Sequence, residues 1–329
     1  MRNIERRELV RLAVALMAMP LAGCKSASPP YAQRTLFNFN TVCVLGGNVG
    51  EDVLDEAQRL CDRFEKLFSR TIATSDVARI NAAKGESCEV DSLTAELIAK
   101  ALVYCEQSKG LFDITIGAVS ELWGFVEGVV PDPAAIEAAL PHVDWQGVEV
   151  QNNAVRLRDP LARLDLGGIA KGFMADKLIE LFRQRGATSA FVNLGGNVKV
   201  WGTNERGEPW SVGVRDPSSK SGERVVARVR TTDGSVVTSG LYERSFERDE
   251  RRYWHILDPR TGYPAQTDVE SASVFSVASI DGDGYTKPLF MLPREEALAF
   301  AQEPAGVEAL LLFADGSVAM TPNSSFTLT

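Results

Sequence analysis

Close to the C-terminal end, Ser279-Ile-Asp-Gly-Asp-Gly-Tyr-Thr-Lys-Pro288 sets two carboxylates, Asp281 and Asp283, ahead of a hydroxyl, Thr286, and an ammonium, Lys287. Carboxylate and hydroxyl oxygens are hard ligands, and a few of them beside a phosphate suit Mg²⁺. The same Asp-Gly-Asp-Gly run also suits a plain turn, and it lacks the length and terminal glutamate of an EF-hand loop. A second segment, Asp165-Leu-Gly-Gly-Ile-Ala-Lys-Gly-Phe-Met-Ala-Asp176, puts a glycine pair at the mouth of a helix, with Lys171 one turn in. Backbone N–H groups exposed there can approach an anion, and the helix dipole favours negative charge. In Asn193-Leu-Gly-Gly-Asn-Val-Lys199, paired glycines follow a strand, which fits either a close backbone approach or a hairpin turn. Finally, Thr238-Ser-Gly-Leu-Tyr-Glu-Arg-Ser-Phe precedes Tyr253-Trp-His-Ile-Leu-Asp-Pro-Arg-Thr-Gly-Tyr-Pro264. His255 is one of 2 histidines in the chain, and imidazole titrates where proton transfer is useful. A lone histidine is more often a satisfied packing residue, so His255 gains meaning only from its company. The other, His142, follows Pro141 in a polar connection and receives no role.

Several elements must position these groups. Residues 51 to 68 place Val53, Leu54, Ala57, Leu60, Cys61, Phe64, Leu67 and Phe68 at three- and four-residue steps, which predicts an amphipathic helix. A second helix is predicted from Ser92, as cap, to Lys109, with Gly110 as its stop, a short third over 133 to 140, and a fourth from Ile169 or Ala170 to Arg185 before Gly186. Strands are predicted at 190–194, 198–201, 210–214, 225–230, 235–238 and 271–278, with a helix-to-strand or strand pair between 306 and 321. Helices mostly first and strands later point to an α+β fold and away from a repeating parallel βαβ sheet.

The chain has 329 residues, 45% hydrophobic and 24% charged, enough to bury a core without disulfides. A formal charge of -9 with no concentrated basic face argues against nucleic acid, because Arg248, Arg251 and Arg252 are interrupted by acidic neighbours. Residues 1–24 read as an export signal: basic residues lead an apolar run from Leu9 to Leu21, which closes on Leu21-Ala22-Gly23-Cys24. Small residues before Cys24 resemble a lipobox, making Cys24 the lipidated residue, and Arg6-Arg7 resembles a twin-arginine signal. Residues 25–34, polar and Pro-rich, read as a tether, and 35–329 as the working domain. Cys43, Cys61, Cys88 and Cys105 match no zinc spacing, and Cys61 and Cys105 fall on apolar helix stripes as buried thiols.

Taken together and in order, the four chemical segments resemble the FAD:protein FMN transferases, the ApbE family. Upstream, Ser75-Asp-Val-Ala-Arg-Ile-Asn81 and Gly110-Leu-Phe-Asp-Ile-Thr-Ile-Gly117 with Leu122-Trp-Gly-Phe125 resemble it too, so the likeness covers the chain from Thr35 onward. The resemblance implies a mixed, T-fold-like α+β domain with helices packed on antiparallel sheet. It implies that FAD is the substrate and that FMN goes through a phosphoester to a Thr or Ser of an exported flavoprotein, with AMP released. It further implies that Phe112, Asp113, Asp165, Lys171 and His255 line the FAD site, and that Gly168, through its carbonyl, Asp283 and Thr286 hold Mg²⁺. Lys171, Asp283 and His255 would carry the catalysis, with His255 as the candidate base. The family acceptor carries an Asp-Gly-Ala-Thr-like motif; Thr231-Thr-Asp-Gly-Ser is the nearest stretch here and lacks the spacing, so the acceptor is expected to be another chain. With Cys24 lipidated, the enzyme is expected on the periplasmic or other extracytoplasmic face of a membrane.

One position departs from the family pattern, which reads Asp-Ala-Leu-Ser-Thr with threonine four residues after the aspartate. Here Thr286 stands at three and Lys287 at four, which sets an ammonium where a ligating hydroxyl is expected and raises the prospect of altered ligands, with Asp281 as a helper. Two other readings follow from the same residues: hydrolysis of FAD to FMN and AMP, and a non-catalytic flavin-binding lipoprotein. The His255 segment and Lys171 count against the second, because retention of flavin alone requires neither.

Overall fold

The computed structural model describes residues 31–219 and 224–329; the export signal, Cys24 and most of the expected tether lie outside the described residues. In chain order the elements are β1 (Ala32–Asn38), β2 (Thr41–Gly47), α1 (Glu51–Phe68), α2 (Asp76–Ala82), β3 (Cys88–Glu89), α3 (Ser92–Gln107), α4 (Gly117–Ser120) and α5 (Pro133–Ala139). Next come β4 (Val148–Gln151), β5 (Ala154–Leu157), α6 (Ala170–Gln184), β6 (Ser189–Leu194), β7 (Asn197–Gly202), β8 (Trp210–Arg215), β9 (Val225–Thr231) and β10 (Asp233–Gly240). The chain continues through β11 (Ser245–Arg248), β12 (Arg251–Trp254), β13 (Val269–Ser276), α7 (Ser279–Thr286), α8 (Arg294–Gln302), β14 (Glu308–Phe313), β15 (Val318–Met320) and β16 (Thr327–Leu328).

One antiparallel sheet of 8 strands, in the order β1-β2-β6-β7-β10-β13-β14-β15, organises the molecule. Side chains alternate across a strand, so each strand serves two cores. In β14, Ala309, Leu311 and Phe313 face the helical side and belong to the same core as Leu54, Phe64, Leu97 and Phe173. Leu310 and Leu312 face the other way and meet Val212, Val214, Ala227 and Val229 of the small sheet β16-β9-β8. The result is the α+β domain expected, helices on one face of an antiparallel sheet. A third cluster, Val119, Trp123, Ile136 and Leu257, holds the loop that follows β12.

Three expectations need correction. The chain leads with a β-hairpin: β1 begins at Ala32, inside the stretch read as tether, and β2 lies between β1 and β6 in the main sheet. Its sequence hides it because β1 alternates half-buried and exposed residues, and Arg34 on it pairs with Glu51 and Asp55 of α1 and not with a core. The cap of α3 is Asp91, which accepts the Leu93 N–H, while Ser92 is the first helical residue. The Asp-Gly-Asp-Gly run is helix α7, not a turn. Its glycines are there for space: a Cβ on Gly282 would come within 2.4 Å of Val237, and one on Gly284 within 2.3 Å of the Tyr104 ring. Cys43, Cys61 and Cys105 are buried free thiols, and among the described residues no helix is long and apolar enough to cross a membrane.

Candidate functional site

The site forms where the N-terminal end of α6 crosses α7. The crossing is close because Gly172 has no side chain; a Cβ there would lie 2.4 Å from the Ser279 carbonyl oxygen. Two reciprocal contacts fix it. Asp176 of α6 accepts the Ser279 and Ile280 N–H groups at 2.8 and 3.0 Å, capping α7. Asp283 of α7 accepts the Gly172 N–H at 2.6 Å, inside the first turn of α6. A buried carboxylate at the start of α6 is favoured by the helix dipole. Two further anchors hold the segment before α6. Asn81 makes a two-way pair with Leu164, donating to its carbonyl at 3.0 Å and accepting from its N–H at 2.7 Å, and the Asp165 N–H donates to the Ile114 carbonyl at 2.8 Å.

Around this crossing the structure gathers most of the residues singled out from the sequence. Gly168 lies beside Phe112 and Lys287: a Cβ on it would sit 3.3 Å from the Phe112 ring and 3.8 Å from Lys287 Cε. Thr286 is fully buried and accepts from the Ser239 hydroxyl at 3.0 Å, which ties α7 to the end of β10. Lys171 makes no hydrogen bond or ion pair among the described residues, yet its charge acts on His255, on Lys287 and on Glu243. Sequence reading gave Glu243 and Arg244 no role, although both stand in the Tyr-Glu-Arg motif. Glu243 is exposed at the rim and feels Lys171, Lys287, Arg244 and Arg215 together.

His255 is carried by the β11–β12 hairpin, its N–H donating to the Arg244 carbonyl at 3.1 Å. The loop after it is pinned by Asp258, which binds Arg260, and by the Trp123 indole N–H on the Gly262 carbonyl at 3.0 Å. This explains why Leu122-Trp-Gly-Phe travels with the His255 segment. Burial pushes the imidazole down to about 4, and the charges of Arg244, Lys287 and Lys171 add to the effect. His255 is therefore neutral near pH 7, and its buried Nδ1 has no hydrogen-bond partner among the described residues.

Asp113 and Asp165, both expected at the FAD site, also make contacts within the protein, as do Asn193 and His142. Asp113 is buried with both oxygens engaged: one takes the Thr115 N–H and hydroxyl at 2.7 and 2.6 Å, the other the Trp145 N–H at 3.1 Å. Its carboxylate shapes the loop that carries Phe112 and does not face the Lys171 cleft. Asp165 accepts from Gly167 N–H at 2.9 Å and from the Ser120 hydroxyl at 3.0 Å. Asn193 accepts the Gly196 N–H at 3.1 Å, and Gly195 and Gly196, with φ of 59° and 101°, make the β6–β7 hairpin turn. That settles the glycine pair as a turn. His142 pairs with Asp159 at 2.7 Å, away from the cleft.

The residues expected to hold Mg²⁺ can be tested on their own contacts. Lys287 Nζ lies 3.0 Å from Asp283 Oδ1, and its stem runs beside Gly168, so the lysine stands against two of the three expected ligands. The other Asp283 oxygen is taken by the Gly172 N–H, and the Thr286 hydroxyl is already bonded to Ser239. Asp281 does not help, which corrects that expectation: two residues apart on a helix point to opposite sides, and Asp281 accepts the Tyr104 hydroxyl at 2.6 Å. A divalent ion about 4 Å from an ammonium would be opposed by roughly 8 kcal/mol at an effective dielectric near 20. Octahedral Mg²⁺, which demands near-ideal geometry, does not fit this donor set with Lys287 in place. Burial pulls the Lys287 ammonium below the ordinary lysine range and Lys171 adds to that, while Asp283 opposes both.

Comparison with known proteins bears on the same residues. Residues 35–311 match the ApbE family. An FAD:protein FMN transferase of Treponema pallidum is 39% identical over 284 residues, covering 80% of this chain and 78% of that protein. One from Klebsiella pneumoniae is 35% identical over 263 residues, covering 77% and 80%. The crystal structure of a Thermotoga maritima ApbE protein superposes with a TM-score of 0.82 at 30% identity, covering 89% of this chain and 97% of that one.

Proposed function

The chain belongs to the ApbE family, and from that membership we infer that it is an FAD:protein FMN transferase, moving FMN from FAD onto another protein. What supports the inference on this chain's own residues is the placement of Lys287 beside Gly168 and Phe112, with the charges of Lys287 and Lys171 both acting on the neutral His255. The reaction is a phosphoryl transfer. A hydroxyl oxygen of the acceptor forms a bond to the FMN phosphorus, the anhydride P–O bond breaks, and AMP leaves with the electron pair. Negative charge builds on the phosphoryl oxygens as the bond breaks, so fixed cations aimed at them lower the barrier. Lys171, in the first turn of α6, has that position, with no internal partner to leave among the described residues.

His255 would take the hydroxyl proton. In the free protein it is a poor base, because burial and three neighbouring cations hold it to about 4. A pyrophosphate bound among those cations offsets their charge, so His255 gains basicity when substrate is present. Phe112, beside Gly168, offers an aromatic wall to a planar ring. The Mg²⁺ that the resemblance implies has no part in these steps, since the donor set does not fit it.

The expected setting is outside the cytoplasm, with Cys24 as lipid anchor and an exported acceptor bearing an Asp-Gly-Ala-Thr-like motif; the leader sequence supports this. Intact-mass analysis of such an acceptor peptide, incubated with the full chain and FAD, tests the reading. A gain of FMN minus water, lost in Lys171→Met, is the expected result. AMP without adduct would redirect the assignment to hydrolysis, and neither product despite FAD binding would overturn it.

A further inference from the structure

We propose that Lys287 is the resident cation of this active site: held on Asp283, its ammonium contacts the FAD pyrophosphate and transfer proceeds without a divalent metal. The inference rests on the transferase reading and on three observations. Asp283 and Lys287 are four residues apart across the last turn of α7, the spacing at which opposite charges meet on a helix, and the ion pair is made at 3.0 Å. Lysine at the C-terminal end of a helix is also favoured by the dipole, so the ammonium is held there by two effects. The partner carboxylate is buried, accepts the Gly172 N–H on its other oxygen, and is thereby fixed at the mouth of α6. The lysine stem passes alongside Gly168 while the ammonium is held on Asp283, so Lys287 occupies the space between those two residues.

Its role in the chemical step follows from charge alone. As the acceptor oxygen bonds to the FMN phosphorus and the P–O bond to AMP breaks, the electron pair departs on the AMP phosphate. Lys287 and Lys171 then stand on two helices flanking the anions, one ammonium for each side of the breaking anhydride. No electrons are exchanged with any other species, and the hydroxyl proton goes to His255. Lysine is a recognised point-charge binder of phosphate, with three rotatable donors.

The test compares the full chain, in detergent, with Lys287→Thr, which restores a hydroxyl at the position where the family pattern has one. Mn²⁺ binding is followed by electron paramagnetic resonance, and FMN transfer is followed with and without EDTA. The wild-type chain is expected to leave Mn²⁺ free at submillimolar concentration and to keep its transfer rate in EDTA within about twofold. Lys287→Thr is expected to bind one Mn²⁺ at least tenfold more tightly, and to lose transfer at least tenfold in EDTA with recovery in Mg²⁺. Stoichiometric micromolar Mn²⁺ binding by the wild type, or wild-type transfer abolished by EDTA and restored by Mg²⁺, would overturn the proposal. Should Lys287→Thr fail to fold, the wild-type Mn²⁺ titration decides alone. Absence of transfer under every condition would instead defeat the transferase reading, and the Mn²⁺ result would still judge Lys287.

Discussion

Substituting Gly172 by alanine sets two helix rules against each other. In an exposed helix interior this change stabilises by roughly 1 kcal/mol, because glycine gives up more backbone freedom on folding. At Gly172 the added Cβ would meet the Ser279 carbonyl oxygen at 2.4 Å, Ile280 Cα at 2.7 Å and the Ser279 carbonyl carbon at 2.8 Å. All three are backbone atoms of α7 and cannot swing aside. Reaching ordinary contact, 3.4 Å or more, requires α6 and α7 to separate by nearly the whole deficit. Overpacking of this kind costs about 1–3 kcal/mol, and the Gly172 N–H to Asp283 bond, charge-assisted and buried, would stretch with it at a cost of about 1–3 kcal/mol more. The net is a destabilisation of about 3 kcal/mol, or a fall in Tm of roughly 5 °C for a domain of this size. FMN transfer should drop more steeply than stability, because the shift moves Asp283 and Lys287 relative to Lys171. Differential scanning calorimetry and an adduct assay read the two effects. Gly147→Ala is the control, since nothing lies within 4 Å of its added Cβ. A Gly172→Ala protein that melts at or above the wild-type temperature and keeps its transfer rate would refute the close helix crossing on which the site is built.

Other perturbations address separate supports. Asn81→Ala leaves the Leu164 N–H and carbonyl buried without partners, and chemical denaturation should show a loss of about 2–3 kcal/mol, whereas a loss under 0.5 kcal/mol would mean that the pair is not a support. Asp176→Ala removes the α7 cap and the partner of Lys199; a drop of about 2 kcal/mol with weakened FAD binding is expected in calorimetry, and unchanged stability would contradict the capping role. The depressed His255 has a signed pH consequence. Its folded value, about 4, lies below its ordinary 6.5, so between the two the unfolded chain takes up a proton that the folded chain refuses. Its contribution to stability is complete above pH 6.5 and is lost as pH falls toward 4, and His255→Gln should flatten that slope in pH-dependent melting curves. A steepened slope would place the charge elsewhere.

Periodicity carried the long helices well: α1 runs over the residues predicted, and α6 differs by a residue at its end. It failed where tertiary contacts outweigh local preference. The Asp-Gly-Asp-Gly run also suits a turn by residue type, but in α7 the missing side chains of Gly282 and Gly284 let the helix lie against Val237 and Tyr104. The hairpin β1–β2 escaped because one face of β1 meets the charged surface of α1. In the site, the groups that act were legible as motifs, while the groups that hold them were not. Asp113 and Asp165 stand in the same motifs as Lys171, and only the structure separates a carboxylate engaged by its own loop from an ammonium left unengaged.

The balance of charge in the cleft gives Lys287 its meaning. Lys171, Lys287, Arg244 and Arg215 act together on Glu243, and among the described residues Asp283 is the carboxylate that pairs with Lys287. The cations outnumber the carboxylates by two, and a pyrophosphate diester brings two anionic phosphates. With substrate bound the cleft is therefore neutral without a metal. A divalent ion would leave it in excess positive charge and would add to the depression of His255, which comes first from burial and then from Arg244, Lys287 and Lys171. Replacing the ligating threonine by lysine thus does more than block an ion. On the proposed reading, a bound pyrophosphate would offset the cationic part of the His255 depression while burial keeps its own share, so His255 would be more basic with substrate than without it.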